Sequence, residues 1–159
     1  PARADQRLFT RGLTQPPMSK SDRLPWREYA MELAKTASLR SEDPYKKVGA
    51  CALAEDGKVL ALGYNGLASG KTITPWCKSS FWGDRDGRRP FVIHAEVNCL
   101  SMIKAGECSL LAVTLLPCSY CATMIAAYKI PRVVYMEEYD KDSKAHEIFK
   151  FYDIDLTKI

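Results

Sequence analysis

Apolar side chains recur at three- and four-residue steps over Trp26, Tyr29, Ala30, Leu33, Ala34 and Ala37, and Pro25 just ahead suits the opening of a helix. Two short apolar runs follow, Lys47 to Leu53 and Lys58 to Leu62, separated by Glu55-Asp56-Gly57, a turn sequence that predicts a hairpin. Gly63 to Gly66 (GYNG) then reads as a loop. From Ala68 to Arg89 the pattern loses its period and fills with Gly, Ser, Asp and Lys, which predicts a long loop, with Trp76 and Phe81 as its packing points. His94 to Ala105 has helical spacing. Leu110 to Leu116 is a continuous apolar run, short for a helix, and predicts a strand buried on both faces. A helix over Cys118 to Lys129 is ended by Pro131, a strand covers Arg132 to Met136, and a last helix covers Ser143 to Tyr152. Helices alternating with strands after an opening hairpin predict a three-layer α/β sandwich around a mixed sheet.

The chain has 159 residues and is 47% hydrophobic, enough for one packed core. Residues 1–17 are basic, contain Pro16 and Pro17 and show no period, so they read as a flexible leader or an expression remnant ahead of one domain over 18–159. Of the net charge of +4, Arg3, Arg7 and Arg11 against Asp5 supply half. The remainder is too small for a polynucleotide-binding surface. No apolar run approaches the roughly 18 residues of a membrane span and no secretory signal core is present, which predicts a cytoplasmic protein. Six cysteines in such a chain point to metal or catalytic use rather than a disulfide framework.

Two segments carry the candidate chemistry. His94-Ala95-Glu96 lies at a loop-to-helix boundary, and Pro117-Cys118-Ser119-Tyr120-Cys121 lies where the buried strand meets a helix. Catalytic zinc takes three protein ligands and keeps a fourth position for water. Cys118 and Cys121, three apart on one helical face, offer two thiolates that a helix N-terminus favours, and His94 completes the set. Glu96 is left over as a proton shuttle for the hydrolytic removal of an amino group from a ring carbon. A histidine-x-glutamate pair with PCxxC is a recognised signature of zinc deaminases, and the chain matches that known pattern. The competing readings are a redox CxxC, in which His94 and Glu96 have no part, and a structural zinc module, which needs four closed ligands and no spare carboxylate.

Together with VGA at Val48 to Ala50, GYNG at Gly63 to Gly66, HAEVN at His94 to Asn98, PCSYC at Pro117 to Cys121 and EYD at Glu138 to Asp140, the sequence resembles the deoxycytidylate deaminase family from Trp26 to Leu156. The resemblance implies the cytidine deaminase fold, a three-layer α/β/α sandwich with a mixed five-stranded sheet. It implies zinc-dependent conversion of dCMP to dUMP, with dCTP as an alternative substrate, and a homo-oligomer, a hexamer or trimer, regulated by dCTP and dTTP. His94, Cys118 and Cys121 would hold one zinc per chain and Glu96 would be the acid/base. Asn65 would bond a sugar hydroxyl, although an asparagine in a glycine-flanked loop is also ordinary turn chemistry. The backbone of Ala95 would read the cytosine edge, Tyr139 would lie near the substrate, and Gly63, Tyr64 and Gly66 would contact an effector. Two departures stand out. The long loop offers only Cys77 toward a second zinc, and Gly66-Leu67-Ala68 lacks the family's usual proline two residues after the last glycine of GYNG. Lys46 and Lys47 are candidates for the phosphate.

Overall fold

A computed structural model describes residues 22–159; the leader assigned to residues 1–17 lies outside them. The described elements, in chain order, are α1 (Trp26–Ser38), β1 (Gly49–Ala54), β2 (Val59–Tyr64), α2 (Pro75–Gly83), α3 (Arg85–Arg88), α4 (Ala95–Leu100), β3 (Cys108–Leu115), α5 (Ser119–Ala127), β4 (Arg132–Glu137), α6 (Ala145–Phe151) and β5 (Asp155–Lys158). The five strands form one sheet in the order β2-β1-β3-β4-β5. β1 pairs antiparallel with β2 and β3, while β3–β4 and β4–β5 are parallel, so the sheet is mixed as expected. The predicted hairpin turn forms, with Gly57 at φ 88 in the left-handed region that glycine enters freely.

Period-2 alternation sends each central strand's side chains to two cores. Ala50 and Ala52, Leu111 and Val113, and Val133 and Tyr135 meet α4, α5 and α6 on one face. Cys51 and Leu53, Leu110 and Ala112, and Val134 meet Ala30, Met31 and Ala34 of α1 on the other. This is the three-layer sandwich. Two glycines set its closest approaches. A Cβ on Gly49 would lie 1.8 Å from the Ala34 carbonyl oxygen, and one on Gly63 would lie 2.4 Å from that of Ala95. Gly63 is therefore the point at which β2 and α4 touch backbone to backbone, and it fixes how far His94 and Glu96 stand from the sheet.

Three expectations are corrected, and one strand went unread. The segment 68–89 is not a structureless loop: Pro75 at the first turn opens α2, and Asp84 caps α3 by accepting from the Gly87 N–H at 3.0 Å. Trp76 is 92% exposed and packs nothing, whereas Trp82 is buried. The helix predicted over His94 to Ala105 stops at Leu100, because the chain must turn back into β3 through Gly106 at φ 90. β5 went unread because Asp155–Lys158 is four residues long and half exposed, too short for an alternation to show. Among the described residues no helix is long and apolar enough to cross a membrane, and all six cysteines are free.

Phe149 of α6 is fully buried in the core beneath α4, α5 and α6. Phe149→Ala is expected to cost about 4 kcal/mol, from lost transfer energy plus the cavity left behind. A thermal melt should fall by about 10 °C; a shift under about 3 °C would mean that the core closes over the gap.

Candidate functional site

The site stands at the carboxyl ends of the parallel strands, where chain segments leaving β3 and β4 meet the start of α4, the usual place for a ligand crevice in an open α/β sheet. Three local features aim its residues. The stretch before α4 is pinned to the GYNG loop by a two-way bridge, Gly66 N–H to the Ile93 carbonyl at 3.0 Å and Ile93 N–H to the Gly66 carbonyl at 2.7 Å. Asn98 Nδ2 donates to the Tyr64 carbonyl at 2.8 Å and ties α4 to the end of β2. Cys118 is the extended residue that caps α5, and the first free amide of that helix, Ser119 N–H, donates to Asp142 Oδ2 at 2.7 Å.

His94 Nδ1 lies 3.5 Å from Cys118 Sγ and 3.3 Å from Cys121 Sγ. All three ligand atoms lie within 4.8 Å of one another, and theirs is the one such cluster among the described residues. Zinc–nitrogen and zinc–sulfur bonds of about 2.0 and 2.3 Å at a tetrahedral angle put nitrogen and sulfur about 3.6 Å apart. The donor set therefore fits one zinc ion in type and in spacing. Electrostatics favour it too. The Cys118 thiol is held down at about 4, first by the hydrogen bond it accepts from Cys121, with His94 adding to the effect; that shared proton and burial push Cys121 up. His94 is raised by its bond to Cys118. Cys118 stands at the start of α5, where a helix N-terminus favours a thiolate.

Glu96 is buried at 4% exposure in the first turn of α4 and faces this cluster. Burial pushes its carboxyl upward, the direction that suits a group which takes and returns protons. His94, Glu96 and Cys118 line one cavity together with Asn65, Ala95 and Tyr139, so the structure brings together most of the residues singled out in the sequence. Gly63 lines neither this cavity nor the neighbouring one, while Tyr64 and Gly66 line the latter with Arg40, Lys71 and Lys78. Lys46 is on the wall of the first cavity, paired with Glu137, but Lys47 is not.

Sequence reasoning missed Asp43, Tyr45, Arg85, Arg88 and Arg89, which line the same cavity. The visible signal was the density of arginines in Asp84-Arg85-Asp86-Gly87-Arg88-Arg89, just ahead of His94 in a segment read as loop.

Residues 24–137, well over half of the chain, match the family model for the cytidine and deoxycytidylate deaminase zinc-binding region. The chain belongs to this deaminase family. The deoxycytidylate deaminase of Mus musculus is 32% identical over 148 residues, covering 87% of this chain and 82% of the relative. That of Homo sapiens is 34% identical over 129 residues, 78% and 71% respectively. Among solved structures, a dCMP deaminase from the cyanophage S-TIM5 in complex with dCMP and dUMP superposes with a TM-score of 0.67 at 29% identity, covering 83% of this chain and 95% of that one. Membership of a zinc-binding deaminase family favours a catalytic reading of this cluster over a redox or purely structural one.

Proposed function

We propose that this deaminase hydrolyses dCMP to dUMP and ammonia, with His94, Cys118 and Cys121 as the ligands of one zinc and Glu96 as the acid/base. The observation that carries the proposal is the buried Glu96 on the wall of the same cavity as the three ligand atoms. Zinc bound there supplies an acidified water that is a nucleophile at neutral pH. The chain's own residues do the rest. A Glu96 oxygen takes the proton released as water adds to cytosine C4 and delivers it to ring N3, and then moves the remaining proton of that water, now on the oxygen at C4, to the departing amino group. The C4–N4 bond breaks, ammonia leaves and C4 keeps the oxygen. The backbone of Ala95 would read the cytosine edge, Asn65 would take the sugar hydroxyl, and Tyr139 would close the outer side.

A nucleotide suits the cavity better than a nucleoside because Lys46, Arg85 and Arg89 stand on its wall, three cations for a 5′-phosphate. Arg89 is also close enough to His94 to oppose its protonation. The neighbouring polar cavity, with Arg40, Lys71 and Lys78 around Tyr64 and Gly66, supports regulation by dCTP or dTTP at a site separate from the chemistry. The test is a panel of cytidine, CMP, dCMP, dCTP and a short deoxycytidine oligomer, read by loss of cytosine absorbance. The expected order places dCMP first, with deoxycytidine added as control at least about a hundredfold lower in kcat/KM, the scale of two charge-assisted hydrogen bonds. Equal turnover of deoxycytidine would remove the phosphate reading, and preference for dCTP would move the substrate assignment to the triphosphate.

A further inference from the structure

Asn65 is less free than a ligand-facing amide has to be. Its Nδ2 donates to Asp43 Oδ2 at 3.2 Å and to the Lys46 carbonyl at 2.9 Å, and its Oδ1 accepts the Val48 N–H at 2.9 Å. Both amide hydrogens are spent, so the remaining polar capacity of the side chain is one lone pair on Oδ1. Asp43 fixes this arrangement. Its two oxygens take five donors: Tyr45 N–H at 2.8 Å, Lys46 N–H at 3.3 Å and Arg88 Nη2 at 3.0 Å on Oδ1, and Asn65 Nδ2 and Arg88 Nη1 at 2.8 Å on Oδ2. Arg88 is held in turn. Its guanidinium sits 5.1 Å from the ring centres of both Tyr45 and Trp82, its side chain is 7% exposed, and its Nε has no hydrogen-bond partner. A carboxylate that accepts five donors has no neutral isostere, since an amide in its place turns an NH₂ toward donors.

We infer that Asp43 and Arg88 are positioning residues which fix the amide of Asn65 so that it meets the substrate only as a hydrogen-bond acceptor, and thereby set the preference for a sugar hydroxyl. The inference rests on the reading of the chain as a dCMP deaminase. In a 2′-deoxynucleoside 5′-phosphate the 3′-hydroxyl is the one free sugar hydroxyl, so it is the donor that Oδ1 awaits. Arg88 comes from α3, which gives the 68–89 segment a role in the site. α3 supplies Arg88, which grips Asp43, and α2 supplies Trp82, whose ring backs the Arg88 guanidinium. A buried charge pair fits that role, because such pairs specify geometry more than they add stability.

The test is the ratio of kcat/KM for dCMP to that for 2′,3′-dideoxy-CMP, which a general loss of structure leaves unchanged. The ratio in the wild-type enzyme is expected to be at least about tenfold, the scale of one hydrogen bond. It should fall to within about twofold of unity in Asn65→Ala and in Asp43→Asn. Arg88→Lys keeps the charge but loses the fork and the stacking, and should lower the ratio at least about threefold; it decides the matter if Asp43→Asn does not fold. A ratio near ten in the Asp43 or Arg88 variant, with dCMP still turned over, overturns this inference alone. A wild-type enzyme without preference for the hydroxyl overturns it together with the role of Asn65. Failure of the wild-type enzyme to deaminate dCMP overturns the dCMP reading and this inference with it.

Discussion

Replacing Glu96 by Gln is expected to lower kcat on dCMP by at least about a thousandfold while zinc content, melting temperature and nucleotide binding stay close to wild type. The amide keeps the volume and the hydrogen-bonding reach of the carboxylate in its buried place on α4. It cannot accept the proton that water gives up, nor return it to N3 or to the leaving ammonia. One general acid/base step is worth about 10² to 10⁴ in rate, and in the proposed mechanism Glu96 serves successive steps. Stability has little to lose, because burial already disfavours the ionised carboxyl. Were Glu96 only a residue of a helix start beside a structural ion, the change would cost about 1 kcal/mol of stability and no activity to speak of. More than about a tenth of wild-type turnover in the variant would take Glu96 out of the mechanism.

The second large effect is expected from Cys121→Ala. Zinc content, measured by plasma emission on protein as purified, should fall from one per chain to under about a tenth, with dCMP turnover at background. The melting temperature should drop as well, because an ion held by His94, Cys118 and Cys121 joins the starts of α4 and α5 across 24 and 27 residues of chain. Zinc retained at half stoichiometry or more would show that a fourth protein ligand closes the site. A content near two in the wild-type protein would implicate Cys77, which is exposed and apart from the cluster.

The central strands were legible because burial on both faces forces unbroken apolar runs, and β3 at Cys108–Leu115 is the clearest of them. The chemistry was legible for a related reason: metal ligands have to come from a few residue types at short spacing, so HAE and PCSYC stand out in a background of ordinary composition. What the sequence hid was whatever depends on contacts between distant segments. α2 has no clear apolar stripe and is anchored by Trp82 alone among its fully buried residues, so no local period announced it. Asn65 was open to two readings, turn residue or sugar ligand, and its three amide hydrogen bonds, to Asp43, Lys46 and Val48, lie outside the GYNG loop where no local pattern could announce them. Nor does any local pattern tell that Asp43 and Arg88, 45 residues apart, share one ion pair.

The bond from Ser119 N–H to Asp142 has a consequence for how the pocket breathes. Asp142 belongs to the same connection as Tyr139, so the segment that closes one side of the cavity also caps the helix that presents the two thiolates. Its carboxyl is held below the usual aspartate range, chiefly by that amide. A movement of this connection as a unit would therefore both swing Tyr139 outward and uncap α5. Amide exchange at Ser119 then serves as a clock for the door: substrate that holds Tyr139 inward should slow it, even though no ligand touches that nitrogen.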